Sequence, residues 1–384
     1  MDFELNEDQR AFAETARQFA HDQLEPNAAQ WDEAQSFPKD VLREAGELGF
    51  LSLYVPEEDG GLGLSRLDAS IIFEQLAMGC TSTTAFMTIH NMVTWMIASF
   101  ATESAKTHFC PKLLTGEWLG SYCLTEANAG SDAASLTTSA IRQGGNYILN
   151  GAKAFISGAG ETDVLLVMAR TGEPGSGGIS AFIVPADAQG ISYGRKEPKM
   201  GWNSQPTRAV TFENVAVAVE NLLGHEGDGF KIAMKGLDGG RINIATCSLG
   251  TAQQALNQAR QYVMERQQFG QALSQFQAVQ FKLADMATEL VAARQLVRYA
   301  ASKLDRQDMG RTAYCAMAKR FATDIGFRIC DQALQLYGGY GYIKEYPLER
   351  YFRDVRVHQI LEGTNEIMRL IIARRVLAEG PELV

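Results

Sequence analysis

The chain has no uninterrupted run of eighteen or more apolar residues, the minimum for a transmembrane helix. Its first residues, MDFELNEDQR, are acidic and polar, whereas a secretory or transit leader is basic or has an apolar core. A protein with neither span nor leader is expected in the cytoplasm. No block of Lys or Arg stands out, and the net charge of −10 disfavours nucleic acid and anionic membrane surfaces as partners. The six cysteines (80, 110, 123, 247, 315 and 330) form no CxxC pair, and the five histidines are scattered, so neither a zinc site nor a disulfide framework is written here. Buried thiols are the expectation. GxSxG, HExxH and Walker A patterns are missing too, which removes the simplest hydrolase and nucleotidase readings.

What is present is ample apolar material. At 384 residues and 46% apolar content the chain can bury a large core in two or three domains, and three zones differ in pattern. Residues 1–118 read as helical. Asn6 and Gln9 resemble a capping box, Phe12, Ala16, Phe19 and Leu24 recur on one helical face, and PKDVLREAGELG opens on Pro38 and stops at Gly49. The long apolar stretch through Trp95 and Phe100 predicts two buried helices. In residues 119–226 Gly, Ser and Thr become dense. SAIRQGGNYILNG predicts a hairpin around Gly144-Gly145-Asn146, and DVLLVMAR, GISAFIVP and TRAVTFENVAV predict further strands of an antiparallel sheet or barrel. Residues 227–384 return to helices. Between Gln271 and Met309 there is no Gly or Pro, and Phe276, Val279, Leu283, Met286, Leu290, Ala293, Val297, Ala300 and Leu304 alternate three and four apart, the seam of a helix bundle. With segments near 228–264, 311–336 and 363–379 this predicts four antiparallel helices. The α-β-α order, without repeats or a low-complexity linker, predicts domains packed tightly together.

Five stretches carry chemistry. In HQILEGTNEIMR (358–369), Glu362 ends an apolar run, Gly363 turns the chain, and Thr364 or Asn365 N-caps a helix. A carboxylate kept dry beside Ile360 and Leu361 has a raised pKa and suits a general base, whereas a solvated loop acid is the commoner fate of a Glu. SYCLTEANAGSDAAS (121–135) has the small residues, hydroxyls and acids of a loop wrapped on a polar ligand, and equally those of an ordinary Ser/Gly loop. In KAFISGAG (153–160), Phe155 presents a ring to a flat ligand or packs in the core. In LDGGRINIA (237–245), Arg241 places a cation at the start of an apolar helix, as a ligand contact or as a surface charge. In QALQLYGGYGYIKEYPLER (332–350) a helix stops at Gly338-Gly339. Those glycines follow a helix instead of joining a strand to one, which argues against a Rossmann nucleotide site.

The joint order of YCLTEANAGSDAASL, NGAKAFISGAGETD, KMGWNSQPTRAV, GGRINIA, RQQFG, QLYGGYGY and RVHQILEGTNEIMR resembles the acyl-CoA dehydrogenase family over essentially the whole chain. The resemblance implies an α+β, mainly α fold: an N-terminal helical domain, a middle antiparallel β-barrel and a C-terminal four-helix bundle, assembled as a homotetramer. It implies FAD as cofactor. By similarity Tyr122, Leu124, Thr125 and Ser131 line the flavin and the acyl-CoA channel, and Phe155, Ile156 and Ser157 lie against the flavin ring. Arg266, Phe269, Phe276 and Gln277 reach the pyrophosphate and adenine end across a subunit interface, Gln335, Leu336, Gly338 and Gly339 reach a partner's FAD, and Thr364 and Glu366 complete the set. Ser131, Asp238, Arg241, Gly363 and Arg374 match substrate contacts, and Glu362 matches the catalytic base.

In such an enzyme the thioester α-proton is too weakly acidic for an ordinary carboxylate. Hydrogen bonds to the carbonyl oxygen, which the family takes from the base's own N–H and a flavin hydroxyl, must stabilise enolate charge, and exclusion of water must raise the carboxylate pKa. The base removes the α-proton while the β-hydrogen leaves as hydride, giving a trans-2-enoyl-CoA. Some family members carry the base just before the arginine of the substrate helix. That place is Gly240 here, and the Gly239-Gly240 pair is expected to leave room for an α-methyl branch. The implied substrate is a short branched acyl-CoA, isobutyryl-CoA first, oxidised to methacrylyl-CoA as in valine catabolism, with 2-methylbutyryl- and butyryl-CoA behind it. Electrons pass to electron-transferring flavoprotein. An acyl-CoA oxidase and a non-catalytic binding protein on the same fold are the alternatives. Phe155, Ser157 and Ala127-Asn128 stand where the family commonly has Trp, Thr and Pro-Gly, and the loss of Pro is expected to loosen that turn.

Overall fold

The structure, a computed structural model, describes residues 4–380. Six helices come first: α1 Glu7–Phe19, α2 Ala28–Ala34, α3 Lys39–Glu47, α4 Arg66–Gly79, α5 Thr81–Phe100 and α6 Glu103–Leu114. The Asn6–Gln9 capping box is present, with both reciprocal bonds made. After Phe19 the helix widens into a π turn, Ala20–Leu24. That extra residue lets Phe19 and Leu24, five apart, face the same core with Ala16. Helices α4 and α5 are buried on nearly every side, polar side chains such as Glu74, His90 and Asn91 included.

Eight strands follow: β1 Gly120–Cys123, β2 Ser139–Gln143, β3 Asn146–Ser157, β4 Val164–Arg170, β5 Ile179–Pro185, β6 Ile191–Tyr193, β7 Thr207–Ala218 and β8 Leu222–Leu223. Their order is β6-β7-β3-β2-β4-β5-β8, and β1 pairs with β4. The hairpin turns at Gly144-Gly145 as the sequence predicts. The sheet is mostly antiparallel, but β1 runs parallel to β4, with Gly120 opposite Val164. The connection between them is long enough to hold the whole β2–β3 hairpin, which makes a parallel pair possible.

One irregularity matters for the site. The β3–β7 register shifts between Lys153 and Ile156. Phe155 sits inside this bulge with φ +57°. The extra residue breaks the alternation, so Lys153 and Ile156 both point inward although they are three apart, and the Phe155 ring turns out, 69% exposed.

The last zone is built on α7 Gly229–Glu265, a 37-residue helix, then the short ribbon β9 Gln267–Gln268 and β10 Gln271–Ala272, α8 Gln277–Asp305, α9 Arg311–Tyr337, α10 Leu348–Arg356 and α11 Asn365–Glu379. The four expected long helices are present, with α10 in addition. On α8 only the later part of the predicted seam, Met286, Leu290, Ala293, Val297 and Ala300, is buried. Phe276, Val279 and Leu283 stay half exposed. All six cysteines are buried and free. Among the described residues no helix is long and apolar enough to cross a membrane, and no group of His, Cys, Asp or Glu is placed to hold a metal ion.

Candidate active site

Where α5, β1, the end of β3, α7 and the turn before α11 meet, a cleft encloses about 340 Å³. Tyr122, Leu124, Thr125, Ser131, Phe155, Ile156, Ser157, Arg241, Glu362 and Gly363 all line it, so residues far apart in the chain converge on one space. Its apolar wall is Ile89, Met92, Phe230, Met234, Leu237 and Ile244.

Glu362 follows a 3-10 turn, Val357–Gln359, and has φ +57°, with Gly363 next at +87°. A left-handed Glu costs about 1–2 kcal/mol of backbone strain, and the turn is held by what comes after it. Thr364 N-caps α11 by accepting the Ile367 N–H, as the sequence predicts. The side chain of Glu362 enters the protein, and its Oε2 is buried without a hydrogen-bond partner. Burial drives its pKa up to about 7, although the positive charges of Arg241 and Lys319 pull the other way.

Arg241 does not begin a helix as the sequence suggested. It lies inside α7, because Gly239 and Gly240 do not interrupt it. The helix interior tolerates both at a cost of about 1 kcal/mol each relative to Ala, and both have a steric reason. A methyl group on Gly239 would come within 2.4 Å of the Arg66 Nη1. That guanidinium is buried over the Tyr54 ring at 3.4 Å. A methyl group on Gly240 would come within 2.5 Å of Glu362 Oε2 and 2.9 Å of its Cδ. The space beside Gly240 therefore belongs to the Glu362 carboxyl, not to a substrate branch, which corrects the expectation from the sequence.

The loop from Leu124 to Thr138 is fixed from below. Glu126 and Ala129 bond each other in both directions across the Ala127-Asn128 turn. The Glu126 carboxylate accepts from Thr137 N and Thr137 Oγ1, from Thr138 N, and from Lys153 Nζ at 2.8 Å. Lys153 also donates to Leu124 O. Burial alone would raise the Glu126 pKa, but the Lys153 charge and these donors outweigh it and hold it at about 2. The turn is thus not the loose element that the missing Pro implied.

Other predicted residues gather elsewhere. Arg266, Gln335, Leu336, Gly338 and Gly339 line a second, open groove at the far end of α7, with Tyr262 and Tyr340. Gly338, at φ +59°, ends α9 as expected. Phe269 is 92% exposed beside Phe276, and Gln277 is exposed at the start of α8. Asp238 is buried under the cleft, bonded to Arg241 at 2.6 Å and to Thr312 Oγ1. Glu366 is exposed and pairs with Arg369, and Arg374 is exposed on α11 outside the lining of the cleft.

Three contributors were not foreseen. Trp202, left-handed at φ +57°, lines the cleft and donates its indole N–H to His358 Nε2. His358 is kept neutral by burial, its pKa lowered to about 3. With Nε2 accepting, its Nδ1–H donates to Ser248 Oγ at 2.7 Å. Lys319 is the third, wholly buried behind the Glu362 turn. A lone Lys within CAMAKRF, on the face shared by Cys315, Ala322 and Thr323, was the available signal.

The cleft fits a flat group with polar edges. The Tyr122 hydroxyl and Glu362 Oε2 are buried there without partners. Phe155 offers its ring at the rim, and around Gly130 added atoms would meet nothing. This helix, sheet and bundle arrangement around a buried carboxylate is shared with solved flavoprotein oxidoreductases. The chain belongs to the acyl-CoA dehydrogenase family: its N-terminal, middle and C-terminal domain models match residues 6–117, 121–215 and 227–377. It is 56% identical to the mitochondrial isobutyryl-CoA dehydrogenase of Bos taurus over 375 residues, covering 98% of this chain and 90% of that one. The mitochondrial isobutyryl-CoA dehydrogenase of Dictyostelium discoideum is also 56% identical, over 97% and 90%. A solved chain from work on the electron transferring flavoprotein of Acidaminococcus fermentans, concerned with flavin-based electron bifurcation, superposes with a TM-score of 0.96 at 41% identity, over 99% and 100%. The mitochondrial relatives overturn the cytoplasmic expectation and point to the mitochondrion. Composition and the lack of a membrane span constrain how a chain folds, not which compartment it is sent to.

Proposed function

We propose that this enzyme oxidises a short branched acyl-CoA, isobutyryl-CoA first, to its 2-enoyl thioester, with FAD as cofactor and electron-transferring flavoprotein as acceptor. The observation that carries the reading is the Glu362 carboxyl, buried at the cleft with an unpartnered Oε2 and a pKa near 7. Glu362 takes the α-proton at that oxygen. Bound FAD supplies the acceptor for the β-hydrogen with its electron pair. Tyr122, Leu124, Thr125, Phe155, Ile156 and Ser157 would hold its ring, and the second groove with Arg266, Gln335, Leu336, Gly338 and Gly339 would serve the adenine end from a neighbouring subunit, with Phe269, Phe276 and Gln277 beside it. Thr364 and Glu366 complete the set. On the substrate side Ser131, Gly363 and Arg241, anchored by Asp238, face the thioester arm, and Arg374 lies further out. The apolar wall at Met92, Met234 and Leu237 suits a small alkyl group and keeps water from the carboxyl. The three segments 1–118, 119–226 and 227–384 act as the domain units. The half-exposed start of the α8 seam and the exposed Phe281 (63%) and Met309 (89%) are apolar surface that supports assembly of several copies, for which the family likeness suggests a homotetramer.

The test is anaerobic flavin bleaching by isobutyryl-, 2-methylbutyryl- and butyryl-CoA across pH. Because Glu362 works ionised and its pKa is about 7, the rate should climb about tenfold per pH unit below 7 and level off above. A flat profile from about pH 5.5 to 8.5 would remove Glu362 as the base. Bleaching by butyryl-CoA alone would remove the branched substrate. For the fold the sign is opposite: a carboxyl whose native pKa is raised stabilises below its unfolded pKa and loses that contribution as pH rises through 7.

Gly240→Ala separates geometry from folding. The new methyl displaces a flexible side-chain end, so melting should change little, while turnover drops about 100-fold from the misplaced carboxyl. Branched and straight substrates should suffer alike. A loss confined to isobutyryl-CoA would restore the reading of Gly240 as room for the branch.

A further inference from the structure

Lys319, in the middle of α9, is completely buried. A buried lysine ordinarily needs a carboxylate, yet among the described residues this one makes no ion pair. Its Nζ instead donates to Gly363 O and to Asn365 Oδ1, each at 2.9 Å. These acceptors flank the turn that presents Glu362: the carbonyl of the residue after it and the side chain of the first residue of α11. Asn365 is itself locked, donating to Asp324 Oδ1 at 2.7 Å and to Thr323 Oγ1 at 3.0 Å. Two successive left-handed residues, Glu362 and Gly363, are thus tied from behind to α9 by a single cation.

We infer that Lys319 is a positioning residue for Glu362: its ammonium group clamps the 362–365 turn in place and, by its charge, sets how readily the Glu362 carboxyl ionises. This rests on the reading of Glu362 as the base. Two effects combine. The clamp keeps a strained backbone in the one conformation that sends the side chain to the notch at Gly240. The charge favours the carboxylate in a place where burial favours the acid. The converse also holds: burial lowers the Lys319 pKa to about 7, and the charge of Glu362 is the largest of those that oppose this. The remaining groups facing the pair are Arg241 on α7, Asp324 on α9 and Glu366 on α11, with neutral His358 before the turn and Tyr122 on β1. Arg241 alone would have to hold the carboxylate if Lys319 were gone.

The test uses Lys319→Met and Lys319→Gln as FAD-loaded enzymes. Met fills the same space and removes charge and both bonds, and Gln keeps a donor for the turn while removing the charge. Two readouts are followed. One is the carboxylic C=O band in pH-difference infrared spectra without substrate, assigned to Glu362 by its disappearance in Glu362→Gln. The other is the ascending limb of the pH profile for bleaching by isobutyryl-CoA. In both variants the infrared midpoint should move up by about one pH unit, and the limb should follow it. An infrared midpoint within about 0.2 pH unit of wild type, with rates lowered equally at all pH, would overturn the inference and leave Lys319 a packing residue. A shifted infrared midpoint with an unmoved limb would support the link between Lys319 and Glu362 and sink Glu362 as the base.

Discussion

Glu362→Gln is expected to give a folded, yellow enzyme whose flavin is not bleached by isobutyryl-CoA, with the rate of reduction lowered about 10,000-fold. Gln matches the shape of Glu, and Glu362 Oε2 has no hydrogen-bond partner to lose, so the substitution removes a proton acceptor and little else. Stopped-flow absorbance under anaerobic conditions reads the effect directly. A variant that reduces its flavin within about tenfold of wild type would show that another group takes the proton. Of the other ionisable groups lining the cleft, Asp132 is exposed to solvent and so lacks the dry setting that raises a carboxylate's basicity, and Tyr122 is pushed well above its usual pKa by burial and by the charge of Glu362.

The second large effect falls on stability. Glu126→Ala should cost about 3–5 kcal/mol in denaturant unfolding, because it leaves Lys153 buried without its counter-charge and strips donors at Thr137 and Thr138 of their acceptor. Adding Lys153→Met should recover part of that loss, since the stranded charge disappears while the unmet backbone donors remain. A single-variant cost below about 1 kcal/mol would mean the pair contributes nothing beyond an exposed one. The pH dependence has a definite sign. With its folded pKa depressed to about 2, Glu126 lends stability above its unfolded pKa and surrenders it as pH falls toward 2. Ala127 and Asn128 ride on this clamp, so the same variant should also weaken flavin retention, which dialysis followed by absorbance would show.

Much of this was legible before any coordinates. Helix starts at Asn6 and Pro38, the Gly144-Gly145 hairpin and the stop at Gly338 depend on local chemistry, and local chemistry is what a sequence displays. Its apolar neighbours and the turn before the Thr364 cap make Glu362 a candidate base, and only the family resemblance raises it above a solvated loop acid. Its desolvation, however, comes from α7 and β1, which are distant in the chain. What escaped depended on such distant contacts. Gly239 and Gly240 looked like a helix boundary because their space is claimed by Arg66 and Glu362, 173 and 122 positions away. Trp202 and His358 are ordinary residues until folding aligns them with Ser248. The bulge that exposes Phe155 leaves no mark in KAFIS, since its cause is the register against β7. Location, misjudged as cytoplasmic, is not a property of packing at all.

The six cysteines have a practical consequence. Burial raises every one, Cys110 to about 11 and Cys123 to about 12, so none carries the thiolate that maleimides and oxidants attack. The native chain should therefore tolerate handling in air without reductant and remain unlabelled by thiol probes while folded. A single Cys engineered onto an exposed position such as Leu377 would then be the one place a fluorophore attaches, turning the unmodified scaffold into a ready background for site-specific labelling.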